Sequence, residues 1–540
     1  MVHHLRVRIK CFSFAKNIKI VNFFTDSLYF LSESDYTVSA TSKKEKHMEN
    51  SNKLQKKYGL VTAICMVVGI VIGSGVFFKA QNILVVTEGN MGIGIAAWLV
   101  GGVIMLFNVL AFSQLAQNYS KVNGLTDYAE ATVSEKYSYF VGWFMAFIYS
   151  PTISSVLVYV TAKYTLTFIC SVNPDFALHI GAANGGLDVG PETMTLALLF
   201  LCLSFAINAL SPKIAGKIQV STTVIKLIPL VLMMLVGTVY GLTHASDIQP
   251  DVSILAHNFS TGSGAGHTFF SAIVATAFAY EGWIMATSIN AELKNAKRNL
   301  PIALIVGGIV IVAVYVFYFI GIAGGATVEE LQKDGATVAF IHVFGPVIGN
   351  ILNLFVAVSC FGTLNGLMLG CTRSMYALAA RNHGPSPKIF SQVDNATNMP
   401  ANSGIAALLI TAIWVVYFYG ANLTPQSWFG IFSFDSSELP IVTLYAFYIP
   451  IYFAFMQKAK GVHPVKRFVL PALAVVSSVA IIFCAVYAHG YVPYINAKAE
   501  GQFSFPVLFY LIVFAVVMIV GIFFYKNKKA DKTETEVNAE

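Results

Sequence analysis

The sequence predicts an all-α integral membrane protein of twelve transmembrane helices, with helices 1 and 6 broken near their middles. Three observations carry the prediction. Of the 540 residues, 56% are hydrophobic and 11% charged, and the mean hydropathy is +0.68; a soluble domain carries about a quarter charged residues. A bilayer core needs roughly 20 apolar residues per helix, and such runs start near Leu60, Ile93, Phe140, Met194, Ile218, Thr268, Pro301, Val347, Ile405, Trp428, Phe468 and Phe505. They are long and continuous, unlike the short alternating strands of a membrane barrel. Finally, Lys and Arg alternate between loops: Lys294, Lys297, Arg298, Lys458, Lys460, Lys466 and Arg467 fall on one side, and Lys333 and Lys498 on the other. Because Lys and Arg accumulate in cytoplasmic loops, this alternation puts both termini in the cytoplasm. The net charge of +7 is then a topology signal and gives no ground for nucleic-acid binding.

The elements follow in order. Residues 1–47 lack a clean apolar core and a small-residue cleavage site, so they read poorly as a signal peptide. They read as a disordered extension, or as residues ahead of a true start at Met48, where a compact basic leader runs into span 1. Residues 48–525 form the twelve-helix domain and 526–540 a charged cytoplasmic tail.

Span 1 contains "VVGIVIGSGVFF" at residues 67–78, in which Gly73-Ser74-Gly75 interrupts the apolar run. Gly69 and Gly73 make a G-x-x-x-G pattern, so close helix packing is one reading. A second interruption shifts the balance: span 6 holds "FAYEGW", with Glu281-Gly282 inside it. A carboxylate is costly in lipid and usually faces a protein or water cavity. Spans 1 and 6 are five apart, as in transporters whose inverted repeats each contribute a discontinuous helix to a midplane site. The repeats would cover about 58–240 and 266–457, with extra helices in 467–525. Freed amides at Gly73, Ser74 and Gly75 would attract a carboxylate, and freed carbonyls near Phe278, Ala279 and Tyr280 an ammonium group. Such a pair of half-sites suits a zwitterion.

Span 5 places Lys226 eight residues after Ile218, ~12 Å inside the membrane at a rise of ~1.5 Å per residue. Simple snorkelling is incomplete at that depth. A lysine reaching a water crevice beside Pro229, an internal cation on carbonyls exposed by the break in span 1, and a proton carrier all fit. Lys79 and Lys163 lie at outer span ends and read as snorkelling. Asp435 and Glu438 read as a solvated entrance or an outer hydrogen-bond network.

The seven cysteines show no metal-ligand spacing, and no phosphate-binding loop or His cluster is present. The sequence therefore calls for no metal and no cofactor. No nucleophile, base and orienting partner share a motif, so an enzyme is not expected and no residue is assigned a catalytic role.

"IGSGVFF" in span 1, "FAYEGW" in span 6, and "SCFGTLNG" with "RSMYALAARNHGPSP" in and after span 8 together resemble the amino acid-polyamine-organocation (APC) superfamily, nearest to its L-type amino acid transporter branch. The resemblance implies the five-plus-five inverted-repeat fold of the leucine transporter plus two helices, and sodium-independent amino acid transport by alternating access. It places the carboxylate site on Gly73, Ser74 and Gly75, an aromatic gate on Phe278, and the sodium-replacing lysine on Lys226. It also places Asn365 near the pocket with Phe361 beside it, although ordinary helix packing fits both; Tyr280 and Trp283 line the pocket or pack as aromatics. One departure bears on substrate: the large neutral carriers have glycine where this chain has Glu281, and the branch handling cystine and cationic amino acids has an acid. Glu281 either contacts substrate or supports unwound backbone.

An exchanger or facilitator for amino acids leads, ahead of a proton-coupled symporter and an amino acid sensor. L-type relatives join an accessory glycoprotein through a disulfide after span 3; Cys170 matches that region imprecisely, and no obligatory partner is expected beyond the lipid bilayer and the amino acid substrate. The short tails favour a bacterial inner membrane.

Overall fold

A computed structural model describes residues 59–119, 124–179, 190–246, 248–264, 266–285, 287, 293–394, 397, 399–424 and 426–525. The readings made for residues 1–47, for the leader after Met48 and for the tail 526–540 lie outside them. The described residues are helical, with no β-ladder beyond a bridge between Ala245 and Ser253.

Span 1 is a pair of helices, Leu60–Val71 and Gly75–Val86, bent by 45°. The others are span 2 (Met91–Asn118), span 3 (Glu135–Val172), span 4 (Pro191–Leu210), span 5 (Ser221–Thr243), span 6 (Thr268–Met285), span 7 (Ala296–Ala323), span 8 (Ala336–Ala379), span 9 (Ala401–Asn422), span 10 (Leu439–Lys458), span 11 (Val465–Ala499) and span 12 (Pro506–Phe523). Spans 1–5 and 6–10 each open on an interrupted helix, and spans 11 and 12 follow. Span 10 begins later than the apolar run at Trp428 implies. Residues before it form turns and a short 3₁₀ stretch at Gly430–Phe432, because Gly430 adopts φ 52° and Pro440 suits the first turn of the new helix.

Span 8 packs along span 3, and span 7 along span 2 and the first half of span 1. Span 3 is 94% buried over its most apolar window and span 12 only 17%, so span 3 runs through the centre and span 12 faces lipid. Span 8 also contains a corner: Gly345 at φ 77° precedes Pro346, and a short outlying helix leads into the span proper.

Candidate functional site

The first half of span 1 ends at Ile72, whose ψ of 100° leaves the helical region. Among the described residues, the amides of Gly73, Ser74 and Gly75 make no backbone hydrogen bond, while the Ser74 carbonyl accepts from Phe77 and Phe78 at 3.1 and 3.0 Å. Orphan amides at a helix start form an anion-seeking end, with the dipole of Gly75–Val86 behind them. The Ser74 hydroxyl is buried without an ordinary hydrogen-bond partner, the weak thiol of Cys360 lying beside it. A Cβ at Gly75 would stand 2.6 Å from the Ala279 Cα and 3.2 Å from the Phe278 carbonyl oxygen. Glycine is thus required there by the approach of the two broken helices.

Span 6 stops being α-helical at Ala279, turns through Tyr280–Gly282 with Gly282 at φ 102°, and continues as 3₁₀ at Trp283–Met285. The conformation at Gly282 is one that a side chain rarely adopts. Tyr315 of span 7 joins the two breaks: its hydroxyl lies 3.0 Å from both the Val71 and the Ala279 carbonyl oxygens, a single proton shared between two acceptors. The Ala279 carbonyl, expected to hold an ammonium group, is therefore engaged by the protein itself.

Glu281 is 7% exposed. Its Oε1 accepts from the Tyr149 hydroxyl at 2.6 Å. Oε2 has no hydrogen-bond partner of ordinary geometry, although the Gly282 amide lies beside the carboxylate. Tyr149 ends a π-helical turn, Met145–Tyr149, within span 3; such bulges re-aim side chains and recur at functional sites.

Lys226 sits at an interruption of span 5, between helices Pro212–Ile225 and Leu227–Leu232. Pro229 has no amide to offer the Ile225 carbonyl, which loosens the helix there. The Lys226 ammonium donates to the Gly69 carbonyl. In an unbroken helix that carbonyl would serve the amide of Gly73 four residues on. Of the three readings open for Lys226, the geometry matches a cation on a carbonyl freed by the break in span 1.

A cavity of about 480 Å³ reaches the breaks and is lined there by Gly73, Ser74, Gly75, Phe278, Glu281 and Tyr149. It runs on to Arg373, Arg381, Glu135 and His383 at the basic end of span 8. At that mouth Arg381 pairs with Asp127 and lies 3.5 Å from Glu130, and His383 lies 3.4 Å from Glu135. The opposite end is sealed. Lys79 donates to Glu438 at 2.5 Å and to Ser437 at 3.0 Å, its ammonium stands 5.6 Å from the Phe278 ring centre, and His489 lies 3.0 Å from the second Glu438 oxygen. Lys79 and Glu438 are both buried, so Lys79 is an ion-paired latch and does not snorkel. Beyond the pair, Glu438 and His489 also line a second cavity of about 640 Å³.

The remaining expected residues do not reach the first cavity. Ala279 is buried between the two breaks, its carbonyl turned to Tyr315. Tyr280 points into span 2, donating to the Trp98 carbonyl at 2.8 Å. Phe361 packs on Phe200 with ring centres 5.6 Å apart. Asn365 accepts from Asn208 at 2.9 Å and donates to the Ala215 carbonyl at 3.1 Å. Periodicity places these residues near the breaks but does not say which side faces the cavity. Tyr149, Tyr315 and the pairing of Lys79 with Glu438 carry no sequence signal, because each depends on a partner in a distant span.

The profile of the family described as "Amino acid permease" matches residues 58–534. The chain belongs to that family. This permease is 29% identical over 426 residues to the serine/threonine exchanger SteT of Bacillus subtilis (strain 168), covering 77% of the chain and 86% of SteT. It is 26% identical over 362 residues to the large neutral amino acids transporter small subunit 2 of Oryctolagus cuniculus, covering 64% of the chain and 62% of that protein. The crystal structure of MhsT in complex with L-phenylalanine superposes with a TM-score of 0.53 over 81% of the chain and all of MhsT, at 14% identity, a likeness of fold. The permease is thus an APC-superfamily amino acid transporter built on the leucine-transporter fold. It is a multi-pass membrane protein and not an enzyme.

Proposed function

We propose that this permease is a sodium-independent exchanger or facilitator of amino acids, working by alternating access in a bacterial cytoplasmic membrane with both termini inside. The observation that carries the reading is the group of unpaired amides at Gly73, Ser74 and Gly75, with the buried Ser74 hydroxyl, opening on a cavity of about 480 Å³. That volume is in the range of small-molecule sites. These donors receive the substrate carboxylate, and the broken span 6 receives its ammonium group.

The fixed donors support sodium independence. Lys226 occupies the Gly69 carbonyl, and Tyr315 occupies those of Val71 and Ala279, so protein groups fill acceptors that a bound cation would need. The Lys and Arg distribution supports a cytoplasmic mouth at Arg373 and Arg381. On that reading the structure is open inward, with Lys79, Glu438 and Phe278 closing the outer side. Asn365 and Phe361 support spans 4 and 5 behind the site.

A proton-coupled symporter is the second reading, favoured by the placement of the Lys226 ammonium on a neutral backbone carbonyl. The name of SteT makes serine and threonine the first substrates to try. The rabbit relative is named as a subunit; we nonetheless expect the permease to work alone, and a stable heteromer on a non-reducing gel would overturn that.

The test is uptake of radiolabelled L-serine by proteoliposomes, with competition by a full amino acid panel. Replacing sodium with choline should change nothing, preloading with amino acid should accelerate uptake, and decarboxylated amines should compete poorly. A strict sodium requirement removes the reading. A rate set by an imposed pH gradient decides for the symporter.

A further inference from the structure

We infer that the Glu281 carboxylate, through Oε2, is the acceptor for the substrate's α-ammonium group, so that Glu281 serves every amino acid carried and does not select cationic side chains. The inference rests on the carboxylate assignment proposed above. A substrate held by its carboxylate at Gly73–Gly75 carries its ammonium on the adjacent carbon, next to whatever span 6 presents there. One backbone acceptor at this point is engaged by the protein itself: the Ala279 carbonyl takes the Tyr315 hydroxyl. Two residues beyond Ala279 stands Glu281, buried, lining the cavity, with one oxygen oriented by Tyr149 and the other without a hydrogen-bond partner of ordinary geometry.

Charge points the same way. The other titratable groups lining this cavity are Tyr149, which already serves Glu281, Tyr139, Glu135, Arg373, Arg381 and His383. Among these, Glu135, Arg381 and His383 have ionic neighbours at the basic mouth, Arg373 is exposed there, and the Tyr139 hydroxyl donates to the Gly521 carbonyl. An ionised carboxylate held away from water with no cation beside it is costly, and an arriving ammonium supplies its countercharge. Recognition of the ammonium is then part of what makes the loaded site stable.

The experiment compares amino acids with analogues in which a hydroxyl replaces the ammonium. Ligand-induced thermal stabilisation of the detergent-solubilised permease gives apparent affinities for L-serine, L-leucine and L-lysine and for their 2-hydroxy acid counterparts. In Glu281→Gln all three amino acids should weaken together, roughly ten- to a hundredfold for a lost charge-assisted hydrogen bond, while the hydroxy acids barely change. Tyr149→Phe, which leaves the carboxylate in place but unoriented, should reproduce the pattern at smaller amplitude and covers the case in which Glu281→Gln does not fold. A loss confined to L-lysine would make Glu281 a side-chain selector and overturn the inference. An equal loss for amino and hydroxy acids would make it a structural support and overturn it too. Decarboxylated amines that bind the unaltered permease as tightly as their parent amino acids would instead sink the carboxylate site while leaving the ammonium assignment standing.

Discussion

Lys79 and Lys226 are both 1% exposed, yet they are held in opposite ways. Lys79 meets a carboxylate, a serine hydroxyl and an aromatic face. Lys226 meets the carbonyl of Gly69. The partner of Lys79 exists whatever the shape of span 1, because Glu438 belongs to the approach to span 10. The partner of Lys226 exists only because span 1 is broken. Depth in the membrane is therefore a poor guide to a lysine's role; the nature of its acceptor separates a latch from a support of the broken helix.

The sharpest way to break this comparison is to remove the latch lysine. Lys79→Met leaves Glu438 buried with His489 as its remaining ionic partner, and stranding one member of a buried pair costs about 3 to 5 kcal/mol. The melting temperature in detergent should fall markedly. The double variant Lys79→Met with Glu438→Gln should recover most of that loss, since no unpaired charge is left behind. Under the inward-open reading it should also lower the external KM relative to the internal one, because the outer side opens more readily. A single variant as stable as the parent would show that water already reaches the pair.

Lys226→Ala should act on transport more than on folding. Removing a charged donor from a carbonyl costs about 1.5 to 3 kcal/mol, or roughly 10- to 150-fold at ~1.4 kcal/mol per tenfold. If the break in span 1 must keep its shape for substrate to bind, that loss should appear in uptake while insertion into the membrane is retained. Full activity in proteoliposomes would put Lys226 in the same structural class as Lys79 and dissolve the distinction.

The comparison also marks what could be read from sequence. The two breaks were legible because Gly73-Ser74-Gly75 and Glu281-Gly282 contradict the apolar periodicity around them, and Lys226 because a charge lies too deep to reach water. Lys79 was misjudged because its partner is 359 positions away, and local spacing carries no information about such a pair. Tyr280 and Asn365 sit in the right stretches but point to Trp98 and Asn208, since the face turned to the cavity is set by tertiary packing. Tyr149 was invisible for a different reason: it owes its direction to a π-helical turn that shifts the register of span 3.

The smallest effect tests whether the breaks are held as one unit. Tyr315→Phe removes a single neutral donor from the Val71 and Ala279 carbonyls and keeps the ring packed on Trp98 and Tyr280. A lost neutral hydrogen bond is worth about 0.5 to 1.5 kcal/mol, so a roughly two- to tenfold change is expected. Because the hydroxyl fixes the spacing of spans 1 and 6 and does not line the cavity, the change should raise KM by the same factor for every amino acid carried. Combined with Lys226→Ala, the two losses should be non-additive, since both donors brace the same break and coupled neighbours depart from additivity. Strict additivity would mean that Lys226 and Tyr315 hold span 1 independently, and the last turn of its first half, from Gly69 to Val71, would then be two separate supports that happen to adjoin.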